Sequence, residues 1–280
     1  MYYAHLPARA LISLTGDDVI PFLQGLITAD ARRLEQGNAI YAALLTPQGK
    51  YLHDFFLIPQ VGRIILDGEK YRLPDLKQRL ALYKLRSKVT IELLPESEGV
   101  VVCWGGQLPV VSDQENIIAD PRMPSLGFRM AGDVAKNLAY CETQGFERVD
   151  AQAYDRHRIT QGVPDGSRDM TPDKSLMLEF NMDALNAVDF SKGCYVGQEV
   201  TARTKYRAQL RKILCIVENV PDTRGALMLA DSEAGELLSQ AGNTALAMVR
   251  TEALERAVIG QEQFTINGAA VSVRAARAAA

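Results

Sequence analysis

The residues best suited to chemistry form one short stretch, Lys-Gly-Cys-Tyr-Val-Gly-Gln-Glu, at positions 192–199. Cys194 stands between two glycines, which allow the main chain to approach a ligand closely. Lys192 places a cation near the sulfur in sequence, and a nearby cation favours the thiolate, which is the form that reacts and binds metals. The stretch therefore predicts a shaped loop that presents one activated thiol. The alternative is an inert cysteine packed at a bulge, because buried free cysteine usually behaves as a small hydrophobe.

The composition argues against nucleic-acid-binding and membrane proteins. The formal net charge is −3, so no overall basic field attracts nucleic acid, and we expect no strong direct binding to it. No apolar run approaches the roughly 18 residues of a membrane helix. The first residues show neither a secretory signal nor an Arg-rich transit pattern. We therefore expect a cytoplasmic protein without a membrane partner.

The four cysteines do not form a recognisable metal site. They lie at positions 103, 141, 194 and 215, and none are paired as C-x-x-C. Three histidines are too few for a rich metal site, so we predict no resident metal. An iron–sulfur cluster usually takes four thiolate-type ligands, so Cys194 alone cannot hold one. A transient cluster shared with a partner, or between two copies of the chain, stays open as an alternative.

The order of the predicted elements indicates an α+β protein with a β-rich C-terminal region. Strands at 39–45 and 51–58 flank a turn with proline and glycine at its corners. A helix opens at Pro74, where proline is tolerated. Residues 105–130 are rich in glycine and proline and predict loops. From residue 200 onward, short strands separated by glycines and polar turns predict a small barrel.

The stretch 192–199 resembles the signature K-G-C-[F/Y]-x-G-Q-E of the YgfZ family of folate-binding proteins, which are relatives of the glycine cleavage T-protein. Similar segments follow the same order as in those families. They are 16–30, 45–50, 178–183 and 245–250, together with Arg158, Gly162 and Pro164. The resemblance implies a three-domain α+β arrangement, in which two α+β lobes and a small C-terminal β-barrel surround a central folate-sized opening.

With this resemblance the chain divides into four regions. Residues 1–95 form the N-terminal α+β domain, to which segments near 150–205 return, and residues 96–150 form the second α+β lobe. Residues 151–205 form the folate-site segment, which contains the cysteine motif. Residues 206–280 form the β-barrel domain.

The resemblance implies a folate site beside Cys194, the expected catalytic residue. The expected cofactor is tetrahydrofolate or a derivative, and the expected binding residues are Lys192, Gly193, Tyr195, Gln198, Glu199, Glu179 and Arg203. Glu179, Gln198 and Glu199 would bond the pterin ring; alternatively, these side chains cap or fix their own segments.

Two of the expected binding residues, Lys192 and Arg203, are cations whose roles have alternatives. Lys192 would lower the pKa of the thiol or pair with a ligand carboxylate. Arg203 belongs to a basic stretch that would hold the glutamate tail of folate, because guanidinium forks suit carboxylates. The alternative for Lys192 is an exposed loop lysine, and the alternative for Arg203 is a solvated face or a protected strand edge.

One departure from the T-protein bears on the reaction. The T-protein carries an Asp-Asp pair after its first hairpin, whereas this chain has His53-Asp54 at that place. An imidazole cannot supply a fixed negative charge, which argues against ordinary aminomethyl transfer.

The resemblance therefore favours a folate-binding accessory protein that supports iron–sulfur cluster assembly or repair, with iron–sulfur proteins, including tRNA-modifying enzymes, as clients. Such a protein is not a conventional enzyme. The alternatives are a tetrahydrofolate-dependent one-carbon transferase, namely an aminomethyltransferase or demethylase of the T-protein type, and a binding module that takes no folate.

Overall fold

The computed structural model describes residues 1–106, 116–207, 209–222 and 225–276, and strands outnumber helices within this part of the chain. Within these residues the strands, in chain order, are Tyr2–His5 (β1), Arg9–Thr15 (β2), Ile40–Leu45 (β3), Tyr51–Gln60 (β4), Arg63–Glu69 (β5), Thr90–Leu93 (β6), Glu98–Trp104 (β7), Ile117–Ala119 (β8), Phe128–Asp133 (β9), Glu147–Arg148 (β10), Lys212–Glu218 (β11), Leu227–Leu229 (β12), Ser232–Ala241 (β13), Thr244–Arg250 (β14), Phe264–Ile266 (β15) and Ala269–Ala275 (β16). The α-helices are Val19–Gln24 (α1), Leu73–Lys84 (α2), Val134–Thr143 (α3), Ala151–Thr160 (α4), Gly166–Asp169 (α5), Gln198–Arg207 (α6) and Thr251–Gly260 (α7). Short 3-10 helices cover Ala31–Leu34, Lys70–Arg72, Pro124–Leu126 and Met177–Phe180.

The first sheet has the strand order β3-β4-β5-β2-β6. All of its pairings are antiparallel. Every residue of β3 is buried, because both faces of the sheet are covered. Tyr41 and Ala43 face the main core, whereas Ala42 and Leu44 face the side chains of α1 and α2. This alternation follows from the two-residue period of a strand. The sheet therefore forms a wall between two helices and the centre of the molecule.

The second sheet has the order β10-β1-β7-β9-β8. Its strand β1 comes from the start of the chain and pairs antiparallel with β7. The prediction of loops alone for 105–130 is wrong, because β8 and the start of β9 lie in this segment; residues 107–115 lie outside the described part. Three-residue β8 is too short to show a period-two pattern among turn residues.

The C-terminal region is a closed barrel with the order β11-β14-β13-β12-β15-β16, which confirms the predicted α+β fold with a C-terminal barrel. The first barrel strand is β11, at Lys212–Glu218, and the preceding helix Gln198–Arg207 was not predicted from the sequence. Its long polar side chains are good helix formers, and Glu199 pairs with Arg203 one turn later.

The largest hydrophobic core joins all three units. It contains Tyr41 from the first sheet, Val102 from the second and Leu246 from the barrel, together with Met177 and Phe180 from the connecting segment. The three units therefore hold the connecting segment through its buried residues, such as Met177 and Phe180. Among the described helices, none has both the length and the apolar character needed to cross a bilayer.

Candidate functional site

The thiol of Cys194 is exposed to solvent, whereas Cys103, Cys141 and Cys215 are buried. Cys194 lies in the irregular segment that leads into α6. The alternative of an inert packed cysteine is therefore wrong for this position. An exposed sulfur can reach a partner protein or a metal ion without local unfolding.

Gly197 seats the Cys194 loop against the first hairpin turn. Its backbone has φ +84°, and a Cβ at this position would lie 2.6 Å from the Thr46 carbonyl oxygen and 3.0 Å from the Gly49 Cα. Gly49 in turn has φ +71°, and its Cβ would lie 2.8 Å from the Cβ of Val200. Both sites require glycine, because only glycine combines positive φ with so close an approach. Gly193, by contrast, has open space around it.

Lys192 is buried and fixes the other end of the loop. Its Nζ donates hydrogen bonds of 2.7 Å to the carbonyl oxygens of Ile27 and Ala29. Burial lowers the pKa of this ammonium to about 8. The exposed-lysine alternative is therefore wrong. Two of the three ammonium protons are used by the backbone, so the structure shows an anchoring role that the motif did not predict.

Tyr195 is buried in the main core. Burial raises the pKa of its phenol to about 12, and the Lys192 ammonium lies 5.2 Å from the centre of its ring. Tyr195 and Lys192 thus point inward on either side of Cys194, whose own side chain points outward. The expected folate residues Lys192 and Tyr195 act here as packing and anchoring groups.

Two further predicted residues, Glu199 and Arg203, are paired with each other. The Arg203 Nη2 lies 2.7 Å from the Glu199 Oε1 across one turn of α6. Both side chains are largely exposed, so the pair adds little stability. Gln198 opens the same helix and is half-buried. All three residues lie on the helix that follows the Cys194 segment.

Glu179 is a half-buried carboxylate on the 3-10 helix Met177–Phe180. Burial raises its pKa, and the nearby charges of Lys50 and Lys212 oppose that rise. Within the described residues no cation lies within ion-pair distance of Glu179. This carboxylate is therefore free to bind a ligand.

The structure also contains a partly open cavity, lined by both charged and apolar residues, that the sequence did not predict. Its volume is about 140 Å³, and its charged lining residues are Arg9, Asp54, Arg122, Arg129, Asp155, Arg158, Asp165 and Arg168. The Phe56 ring forms part of the wall, and the Arg129 guanidinium carbon lies 3.9 Å from the centre of that ring. One signal was visible in the sequence, namely the arginine inside the apolar run of β9.

All five arginines that line this cavity are paired with aspartates. Arg9 contacts Asp67 at 2.7 Å, and Arg129 contacts the other oxygen of the same carboxylate at 2.5 Å. Arg158 contacts Asp169 at 2.9 Å. Ligand pockets typically occupy about 300–1,000 Å³, so a whole folate molecule does not fit this cavity. Its lining contains neither Cys194, Glu179 nor Arg203.

Comparison with known proteins identifies relatives of the chain. The human iron–sulfur cluster assembly factor IBA57, a mitochondrial protein, is 33% identical over 279 residues, covering 89% of this chain and 78% of the relative. The mouse protein of the same name is 32% identical and has the same coverage. The chain belongs to the IBA57 family. The homologue from Mycosarcoma maydis is 36% identical over 225 residues, but the chain spans only 55% of its length.

Two further comparisons concern the fold of this IBA57 relative. Residues 211–279 match the model of the CAF17 C-terminal beta-barrel domain, in agreement with the observed barrel. The crystal structure of glycine cleavage system aminomethyltransferase T from Bartonella henselae matches with a TM-score of 0.71, covering 98% of this chain and 84% of that chain. Their identity is 16%, so this likeness shows the fold alone.

The expected cytoplasmic location is contradicted, because the IBA57 relatives are all named as mitochondrial proteins. The physical reason lies in what the first residues do. Residues 2–5 form β1 of the second sheet, so their pattern reflects sheet packing and carries no information about the compartment.

Relative to the T-protein, this IBA57-family chain has a structural histidine after its first hairpin. His53 is buried, and its Nε2 lies 2.7 Å from the Asp75 Oδ2. Burial lowers the pKa of His53 to about 4, aided by the charge of Arg72, so the imidazole is neutral at pH 7. Its neighbour Asp54 accepts hydrogen bonds from the Tyr41 and Tyr51 hydroxyls at 2.7 and 2.6 Å.

Proposed function

We propose that this chain is an accessory factor in iron–sulfur cluster assembly or repair, and that the Cys194 thiolate supplies one ligand of a cluster shared with a second protein. The observation that carries the proposal is that Cys194 is exposed, whereas the other three cysteines are buried. Its membership of the IBA57 family supports the choice of iron–sulfur chemistry.

The ligand count explains why the cluster would be shared. Iron–sulfur clusters usually take four thiolate-type ligands. Within the described residues, no group of three or more cysteine, histidine or carboxylate side chains is placed to hold a metal. One exposed thiol can therefore complete a partner's ligand set without retaining the cluster, which suits transfer to client enzymes. The clients would include iron–sulfur enzymes that modify tRNA.

The loop around Cys194 is built to present that thiol. Lys192 ties one side to the backbone of 27–29, and Gly197 seats the other side on the first hairpin. A thiol on a fixed loop loses little conformational entropy on binding, which strengthens its contact with a partner. The buried neighbours therefore serve the exposed sulfur by holding its position.

The test is complementation of a strain that lacks this chain, with the activity of an iron–sulfur enzyme as the readout. The Cys194→Ser variant should fold normally and fail to restore activity. The matched control is Cys215→Ala, which removes a buried thiol of the barrel and should restore activity. Full rescue by Cys194→Ser would refute the role of the thiol.

Tetrahydrofolate binding is a second and separate part of the proposal. Its support is the motif resemblance together with Glu179, a half-buried carboxylate whose pKa is raised by burial. The ligand would bind at the surface near Glu179, because the cavity of about 140 Å³ is too small for a whole folate molecule. Calorimetric titration with tetrahydrofolate should show binding that Glu179→Gln weakens at least about tenfold, equivalent to ~1.4 kcal/mol. No heat of binding with the wild-type chain would exclude folate.

The alternative function is one-carbon transfer of the T-protein type. The neutral, buried His53 does not favour it, because no fixed negative charge stands at that position. The assay is one-carbon release from an aminomethyl donor with tetrahydrofolate, and sustained turnover would favour this alternative.

A further inference from the structure

Cys103 and Cys141 form a thiol pair inside the second lobe. Their Sγ atoms lie 3.5 Å apart, in hydrogen-bond contact. Cys103 is on β7, and Cys141 is in the last turn of α3. Both side chains are at most 1% exposed. The pair packs among Tyr3, Val101 and Met130 in a small core of its own.

We propose that this pair is a modification site, at which a two-electron oxidant of the peroxide or disulfide class forms a reversible Cys103–Cys141 disulfide. A disulfide needs the sulfur atoms about 2.05 Å apart, so they must approach by roughly 1.5 Å. Rotation of two short side chains can supply that movement. The site is distinct from the Cys194 loop and does not depend on the function proposed above.

The chemistry of the pair is asymmetric. The contact between the two sulfur atoms lowers the pKa of Cys141 and raises that of Cys103. The Cys141 thiolate would attack a peroxide oxygen, break the O–O bond and give a sulfenic acid and hydroxide. The Cys103 thiol would then attack the sulfenic sulfur, and water would leave as the disulfide forms. When the oxidant is a disulfide, the two thiols transfer the same two electrons to it through a mixed disulfide, and the oxidant leaves as two thiols.

Access to the buried sulfurs comes from the end of α3. Cys141 is two residues from Thr143, where the helix ends, and the following residues 142–145 are exposed. Terminal helix turns open at low free-energy cost. Opening of this one turn exposes Cys141 without unfolding the sheet, so oxidation should be slow but measurable under native conditions.

The expected consequence is a stabilised second lobe. The disulfide would close a loop of 38 residues, because 141 − 103 = 38. Restriction of the unfolded chain by such a loop should raise the apparent Tm by roughly 5–10 °C. Reduction by dithiothreitol should reverse the change.

The test uses the full chain carrying Cys194→Ser, which removes the exposed thiol. The reduced protein is treated with hydrogen peroxide or oxidised glutathione, denatured and alkylated, and its free thiols are counted. Three thiols remain in this variant before oxidation, and one should remain afterwards, on Cys215. This residue is the internal control, because it is equally buried but has no thiol partner within the described residues.

Peptide mapping decides the outcome independently of any change in folding. A linked peptide pair that contains Cys103 and Cys141, and that disappears on reduction, supports the proposal. Three free thiols after prolonged oxidation would overturn it. Loss of thiols as sulfinic acid or glutathione adducts, without the linked peptide, would also overturn it. Cys103→Ser in the same background should keep both remaining thiols free or singly modified, with no rise in Tm.

Discussion

The seating of the cysteine loop can be tested by comparing the two glycines of the motif. In Gly197→Ala, the new Cβ would meet the Thr46 carbonyl oxygen at 2.6 Å and the Gly49 Cα at 3.0 Å. Both atoms belong to the backbone and cannot move away as a flexible side chain can. An alanine at positive φ costs about 1–3 kcal/mol. With the steric overlap added, we expect the free energy of unfolding to fall by about 3 kcal/mol.

Gly193→Ala is the matched control, because its Cβ would have open space. We expect its free energy of unfolding to change by about 0.5 kcal/mol or less. The assay is urea unfolding followed by circular dichroism. The midpoint of Gly197→Ala should fall by roughly 1 M, while that of Gly193→Ala stays near wild type. Equal midpoints for the two variants would show that the loop is not seated on the hairpin.

Three further predictions concern buried side chains that can carry a charge. Lys192→Met should lower the free energy of unfolding by about 2 kcal/mol in urea titrations, because two backbone carbonyls lose their donor; an unchanged midpoint would contradict the anchoring role. His53 binds a proton less readily when folded (pKa about 4) than when unfolded, so stability should fall as the pH drops below about 6.5, by roughly 2 kcal/mol at pH 5. The His53→Gln variant should lack this part of the pH dependence of stability. A stability profile identical to that of the wild-type chain would refute the prediction. Asp67→Asn should cost about 3–5 kcal/mol, because Arg9 and Arg129 lose their shared buried carboxylate; a change in thermal unfolding of under about 1 kcal/mol would contradict this prediction.

The local parts of the fold could be predicted from the sequence. The β3–β4 hairpin follows from its turn residues, and its Thr46 amide donates to the Lys50 carbonyl at 2.8 Å. The barrel strands follow from short apolar runs between glycines. Strand β8 and helix α6 were missed, because a three-residue strand has no period and because the polar residues of α6 have no apolar stripe.

The candidate site could be predicted only in part. The motif located the exposed thiol, but sequence proximity did not predict the direction of Lys192. Its ammonium contacts the carbonyls of Ile27 and Ala29, more than 160 residues away in sequence. The same limit hid the charged cavity, where Arg9 and Asp67 are 58 residues apart and Arg129 and Asp67 are 62 apart. Such pairs depend on the tertiary fold rather than on any local pattern.

The fold resemblance has a similar limit. The T-protein-like arrangement of two lobes and a barrel is present, but the cavity of about 140 Å³ is lined by paired arginines and aspartates together with apolar residues such as Phe56. Two proteins with the same fold can differ in the size of this opening, because the side chains that line it determine its volume. Function must therefore be argued from the site, here from one exposed sulfur.

The most direct test of the account is the iron and acid-labile sulfide that co-purify with the chain from its own cells under anaerobic conditions. The account predicts both in the complexes of the wild-type chain and of Cys215→Ala. It predicts only background amounts with Cys194→Ser. Equal iron and sulfide with and without the Cys194 thiol would contradict the claim that this sulfur is a cluster ligand.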